Sequence, residues 1–234
     1  MNLQERKLDW RNISATRVVV STLGVLVGLA GIEHGFFELL QGNVRPNGLF
    51  IDAIGPAQRF WEYGTERAIT IIPNFFVTGI VAMIVGLLVT IWAAAFVDRK
   101  YGAWVLFLLS LILWLVGGGF APIFLAIFAS VTATRINKPL TWWGTHLPNN
   151  TRDLLARLWP WSPIALVVIF WIGVEIAIFG YPLLWFFNPN ITFGIQYTLA
   201  FIMLGLMLVS ILSAFAFEIQ KQPDSQQHLQ VNSL

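Results

Sequence analysis

The stretch Gly31-Ile32-Glu33-His34-Gly35-Phe36-Phe37-Glu38 places two carboxylates and an imidazole inside a long apolar run. A charge at the centre of a bilayer costs about 2.5–3.5 kcal/mol on insertion scales, so such residues normally face a bundle interior and work there. His34 and Glu38 are spaced i and i+4 and share one helical face, which Gln41 continues at i+7. Glu33 is rotated about 100° from His34 and is expected to meet a different neighbour. Glu175 is the one other carboxylate predicted near the middle of an apolar run, and burial against a neighbouring helix is expected there. Imidazole and carboxylates together suit proton exchange, cation binding or contact with a polar ligand group. Counting from Arg17, His34 lies about 25 Å along a helix, in the outer third of a span. Glu38 falls at its end, where Arg59 or Arg67 of the following loop is expected to approach a carboxylate.

These four residues, Glu33, His34, Glu38 and Glu175, are candidates for ligand binding or proton handling. Catalytic residues and cofactors stay open. No metal site is expected, because a site normally takes three or four ligands and His146 and His228 lie outside the apolar runs. A haem or chlorin needs only one axial His, but no motif supports one at His34. Phosphate-loop, His-Glu-x-x-His and Gly-x-Ser-x-Gly motifs do not occur.

The elements that must position these residues are membrane helices. The 234-residue chain is 57% hydrophobic and 11% charged, against about 25% charged in soluble domains. The absence of cysteine excludes disulfides and thiolate chemistry. A net charge of +2 spread over short loops gives no reason to expect nucleic acid. Residues 1–17 form a basic arm before the apolar stretch Val18–Ile32. No small-residue cleavage pattern follows, so the stretch reads as a retained span.

Span one is predicted over Val18–Leu40, with Gly24, Gly28, Gly31 and Gly35 on one stripe for close packing of a second helix. Residues 41–70 form a polar connection in which Pro56 opens a short helix through Glu66, a cap over the membrane surface. Span two covers Pro73–Val97, with Pro73 in the first turn. Residues 103–134 would make one helix of about 48 Å, too long for a hydrocarbon core of about 30 Å. Gly117-Gly118-Gly119 and Pro122 interrupt them and predict a hairpin of two short segments, with a single crossing as the alternative. Residues 135–161 carry four Trp and basic residues, with Thr151 capping a short interfacial helix. Spans follow over 164–187, with a kink at Gly180-Tyr181-Pro182, and over 193–217, joined by Asn188-Pro189-Asn190. Residues 1–217 thus form one transmembrane domain, and residues 218–234 a polar, disordered tail.

Charge arbitrates the threading. With the hairpin and a cytoplasmic N-terminus, eleven of the fourteen basic residues face the cytoplasm and only Arg45, Arg59 and Arg67 lie outside. A single crossing puts most of them outside, against the positive-inside rule. The expected fold class is an all-α, polytopic membrane bundle of about six segments in a prokaryotic plasma membrane, with both termini cytoplasmic.

Residues 31–78 resemble the emopamil-binding-protein family of sterol isomerases and lipid-binding membrane proteins. The resemblance rests on His34 and Glu38, Trp61-Glu62-Tyr63, and Glu66-Arg67, about a fifth of the chain. It implies proton shuttling by His34 and Glu38 beside a cationic, sterol-like intermediate. The acidic residue that the family carries in its second helix has no counterpart in Pro73–Val97. The leading expectation is therefore a small transporter, a ligand-binding protein or a subunit of a membrane complex, with a lipid-modifying or isomerising enzyme as the alternative. The expected partners are the bilayer, a lipid or small-molecule ligand, and a membrane protein or a second copy of this chain.

Overall fold

The computed structural model describes residues 14–180 and 189–231. Most of the expected N-terminal arm, the kink residues Tyr181 and Pro182, and Asn188 lie outside them. The described chain is mostly helical. In order run α1 (Ala15–Leu40), β1 (Phe50–Asp52), β2 (Arg67–Ile69), α2 (Phe75–Ala95), α3 (Gly102–Leu115), α4 (Ala121–Ala133), α5 (Thr141–His146), α6 (Asn149–Leu158), α7 (Trp161–Phe179) and α8 (Pro189–Val231). Four helices are long and apolar enough to cross a membrane: α1, α2, α7 and the Asn190–Lys221 part of α8. Their free faces are apolar, as with Ile84, Leu87 and Ile91 of α2 or Phe201 and Leu208 of α8. This suits contact with lipid.

Helix α1 is the central element and packs on α2, α3, α4, α7 and α8. Its glycine stripe explains the closest of these contacts. A Cβ at Gly35 would stand 2.7 Å from the Gly79 carbonyl oxygen, and one at Gly79 2.5 Å from that of Gly35. Gly28 and Gly86 meet in the same way, two turns along, and Gly24 faces Ala93. Backbone against backbone leaves no room for a side chain, which is the reason for small residues at such crossings. Gly31 is turned towards α3 and receives Leu113.

The apolar stretch 103–134 is two helices. The Gly118 N–H bonds to the Leu113 carbonyl (2.8 Å) and ends α3, and Pro122 stands in the first turn of α4. Between them, residues 116–120 lie against β2. Ile71 N–H donates to the Leu115 carbonyl (3.0 Å) and Phe120 N–H to the Arg67 carbonyl (3.2 Å). Buried Thr78 donates to the Val116 carbonyl (2.8 Å) and accepts from the Thr70 hydroxyl (2.6 Å). The turn therefore shares one end of the bundle with the β1–β2 hairpin. At the other end, Glu218 of α8 accepts from Ser14 Oγ (2.6 Å), Thr16 N–H (2.9 Å) and Thr16 Oγ1 (2.8 Å). A carboxylate there satisfies free amides and opposes the positive end of the helix dipole. Trp143, beyond α4, packs on Phe215 near Glu218.

Several expectations are corrected. The connection 41–74 is not helical beyond a single tight turn at Pro56–Gln58. Its register instead pairs Asp52 with Arg67 in a two-stranded antiparallel sheet, so the fold is not wholly α. Asn74, whose side chain accepts from Val77 N–H (3.0 Å), caps α2, and Pro73 precedes the cap. Helix α6 begins at Asn149 rather than after Thr151, and turns Leu154 and Leu158 away from the bundle. The α8 backbone stays helical past Glu218 to Val231, within the stretch read as a tail.

Gly28→Leu or Gly86→Leu forces the α1–α2 crossing apart, and overpacking of this kind typically costs about 1–3 kcal/mol. Thermal unfolding in detergent is expected to show that loss for both. Gly205→Leu, at a position with open space around it, is expected to melt with the wild type.

Candidate functional site

The β-hairpin clamps determine what lies over the polar turn of α1. Gln41, just beyond the last turn of α1, donates through Nε2 to the carbonyls of Asp52 (2.9 Å) and Ala53 (2.7 Å). Ala53 N–H in turn bonds to the Glu66 carbonyl (2.7 Å). Since Arg67 is tied to the glycine turn, Glu66 is held above α1, with Oε2 2.7 Å from His34 Nε2. His34 Nδ1 lies 2.9 Å from the Ala30 carbonyl and 3.1 Å from Glu33 Oε2. A carbonyl only accepts, so Nδ1 carries a hydrogen and Nε2 is the nitrogen that faces Glu66. His34 is buried, and the side chains of Glu33 and Glu66 are each 18% exposed.

Glu38, one turn further on, is 0% exposed. Among the described residues neither of its oxygens has a hydrogen-bond partner, and the same holds for Oε1 of Glu33. The glycine turn closes over this group. A Cβ at Gly117 would overlap the Glu38 carboxylate, and one at Gly119 would overlap His34 Nε2. Both residues also adopt positive φ, 106° and 81°, a region in which a Cβ is strained. Glycine is thus required twice over, for the conformation and for the approach to the site.

The geometry revises the sequence reading of the site. Glu33 does not point to a separate neighbour; its carboxylate reaches the His34 ring. Arg59 and Arg67 do not approach Glu33 or Glu38. Both pair with Asp52, at 3.4 and 3.1 Å, because the sheet register sets Asp52 opposite Arg67. Glu175 stands apart and is exposed on α7. The helix ends at Gly180, with φ 69°, so Glu175 is little more than one turn from its end, about 6 Å along the axis, and not at mid-span. The 57–66 segment contributes Glu66 and otherwise braces the α7–α8 end. There Trp61 donates to the Ala177 carbonyl (3.0 Å) and packs with Tyr63 against Phe193.

Sequence reasoning missed Glu66 and the glycine turn as parts of the site. Glu66 was visible only as half of an acidic-basic pair, and the three glycines only as a helix break. With Glu66 present, one donor atom from each of Glu33, His34 and Glu66 lies within 4.8 Å of the others. The expectation that too few metal ligands exist is therefore corrected.

Burial pushes the Glu66 carboxyl up, but the charge and hydrogen bond of His34 outweigh it and hold the group below the usual carboxylate range. A depressed folded value contributes stability that is complete above the unfolded value and is lost as pH falls through the folded one.

Comparison with known protein families, with curated proteins and with solved structures finds no match for this chain. The functional reading therefore stands on the residues themselves.

Two outcomes are expected. Glu66→Gln lowers the unfolding temperature at neutral pH, and the gap to wild type closes in acid, below the usual carboxylate range. Gly117→Ala is destabilised by about 1–3 kcal/mol through strain and through displacement of Glu38, measurable by the same melts.

Proposed function

We propose that this chain is a multi-pass protein of a plasma membrane that binds a cation, a proton or a metal ion, in a pocket at the extracytoplasmic end of α1. It acts as a small transporter, a ligand-binding protein or a subunit of a membrane complex, not as an enzyme. One observation carries the reading: three carboxylates share a buried group with a single imidazole, and the nearest guanidiniums are bound to Asp52. An uncompensated buried charge costs several kcal/mol. A group with that excess of negative charge, sealed by glycines rather than answered by Arg or Lys, takes its positive charge from solution.

Six crossings with both termini cytoplasmic fit the same picture. The turn 116–120 bonds to the end that carries the 41–74 connection. Antiparallel α3 and α4 then form a hairpin that leaves eleven of the fourteen basic residues inside. Leu154 and Leu158, exposed on α6 beside Arg152 and Arg157, suit a helix lying in the cytoplasmic interface. An acid–base enzyme acting on a lipid is the second reading, favoured by an imidazole held between two carboxylates. Against it, cavities of about 370 and 550 Å³ that could seat an acyl chain border Val18 and Thr22 on α1 and are not lined by Glu33, His34, Glu38 or Glu66; the larger one reaches Leu29, more than one turn from His34.

Two experiments test these readings. Because the chain has no cysteine, single cysteines report sidedness cleanly. Asn47→Cys is expected to react with a membrane-impermeant thiol reagent in intact cells, and Arg99→Cys and Lys138→Cys only after permeabilisation. Labelling of Lys138→Cys from outside contradicts the six-span threading. For the site, the thermal stability of purified protein is measured across pH 5–8 and with Na⁺, Mg²⁺, Mn²⁺ and Zn²⁺. Wild type is expected to respond to at least one of these cations, and the double variant Glu38→Gln/His34→Ala to lose that response. Identical profiles would overturn the cation-site reading.

A further inference from the structure

We infer that the site is a divalent transition-metal site, with Glu33, His34 and Glu66 as ligands and Glu38 as a buried carboxyl beside them. The inference rests on the cation-site reading above and names its ligand class. Donor atoms of the first three residues lie within 4.8 Å of one another. Ligands about 2.1 Å from a tetrahedral ion stand about 3.4 Å apart, so side-chain movements of about an ångström bring the set to bonding distance. The His34 tautomer fits this use. Ala30 fixes the hydrogen on Nδ1, which is the outer-shell arrangement that orients a ligating imidazole. Nε2 faces Glu66 at 2.7 Å, the distance of a hydrogen bond to that carboxylate, and an arriving ion takes the place of the proton between them.

Glu38 is the independent observation. Its carboxylate is wholly buried, has no hydrogen-bond partner among the described residues, and lies under the same glycine turn that covers His34 Nε2. A purely structural ion pair between His34 and Glu66 leaves Glu38 and Glu33 Oε1 without a partner among the described residues, whereas an ion held by Glu33 engages its free oxygen and brings positive charge near Glu38. One imidazole among carboxylates selects Zn²⁺, Mn²⁺, Fe²⁺ or Co²⁺ over Ca²⁺ and Mg²⁺, which prefer all-oxygen sets. A divalent ion also brings three carboxylates and a neutral imidazole close to electrical balance.

The test uses full-length protein purified in detergent, stripped with chelator and titrated with Co²⁺ as a coloured probe. The expected result is a 1:1 visible absorption spectrum that Zn²⁺ displaces. Affinity is expected to fall at least tenfold in Glu66→Gln and in His34→Ala and to be unchanged in Glu175→Gln. Glu33→Gln is a further variant, with melting curves confirming that each protein is folded. Should His34→Ala fail to fold, Glu66→Gln and Glu33→Gln carry the comparison. No stoichiometric Co²⁺ in wild type, or equal binding in all variants, overturns the metal assignment. If pH or Na⁺ still shifts wild-type stability through Glu38 in that event, the site binds a proton or monovalent ion and the broader reading survives. If nothing shifts it, both fail.

Discussion

Three carboxyls buried around a single imidazole are the constraint on which the rest of the structure depends. Glu33, Glu38 and Glu66 converge on one imidazole at the end of α1, where dehydrated carboxylates are expensive. The surrounding structure does not dilute that charge; it concentrates it. Asp52 draws away both nearby guanidiniums. The glycine turn brings backbone, not a basic side chain, over Glu38 and His34. A fold selected only for stability would place Arg or a hydrophobic residue here, since replacing buried ions by apolar groups is often stabilising. The proposed cation site would account for carboxylates retained in such a place.

The scaffold's main features serve this arrangement. Glycine-on-glycine contact draws α1 and α2 together, so that Thr78 of α2 can hold the Val116 carbonyl. The hydrogen bonds from Ile71 and to Arg67 fix the two ends of the turn, and Glu66, the residue before Arg67, falls over His34 as a consequence. At the opposite end, Glu218 fastens α8 to the start of α1, which leaves the functional end free of that duty.

Much of this was legible in the sequence and some was not. Hydropathy located the long helices, because about 20 apolar residues in succession have few soluble explanations. Three glycines and a proline marked the break between α3 and α4. The i, i+4 spacing placed His34 and Glu38 on one face. What failed was non-local. No local pattern distinguishes Glu66 from exposed Glu62, and only the strand register shows that Arg67 belongs to Asp52. Glu175 was misjudged because the apolar run continues beyond Gly180, where the helix itself stops. The same glycines read as a break are also the walls of the site, a second role that spacing alone does not reveal.

Infrared difference spectroscopy of the Glu38 carboxyl tests the central claim most directly. Spectra of cation-stripped protein are subtracted from spectra of the same protein after titration with acid or Zn²⁺. A bound cation is expected to change a carboxyl band that is present in the wild-type difference spectrum and missing from that of Glu38→Gln. Superimposable difference spectra for the two proteins would mean that no cation reaches Glu38, and would contradict the account.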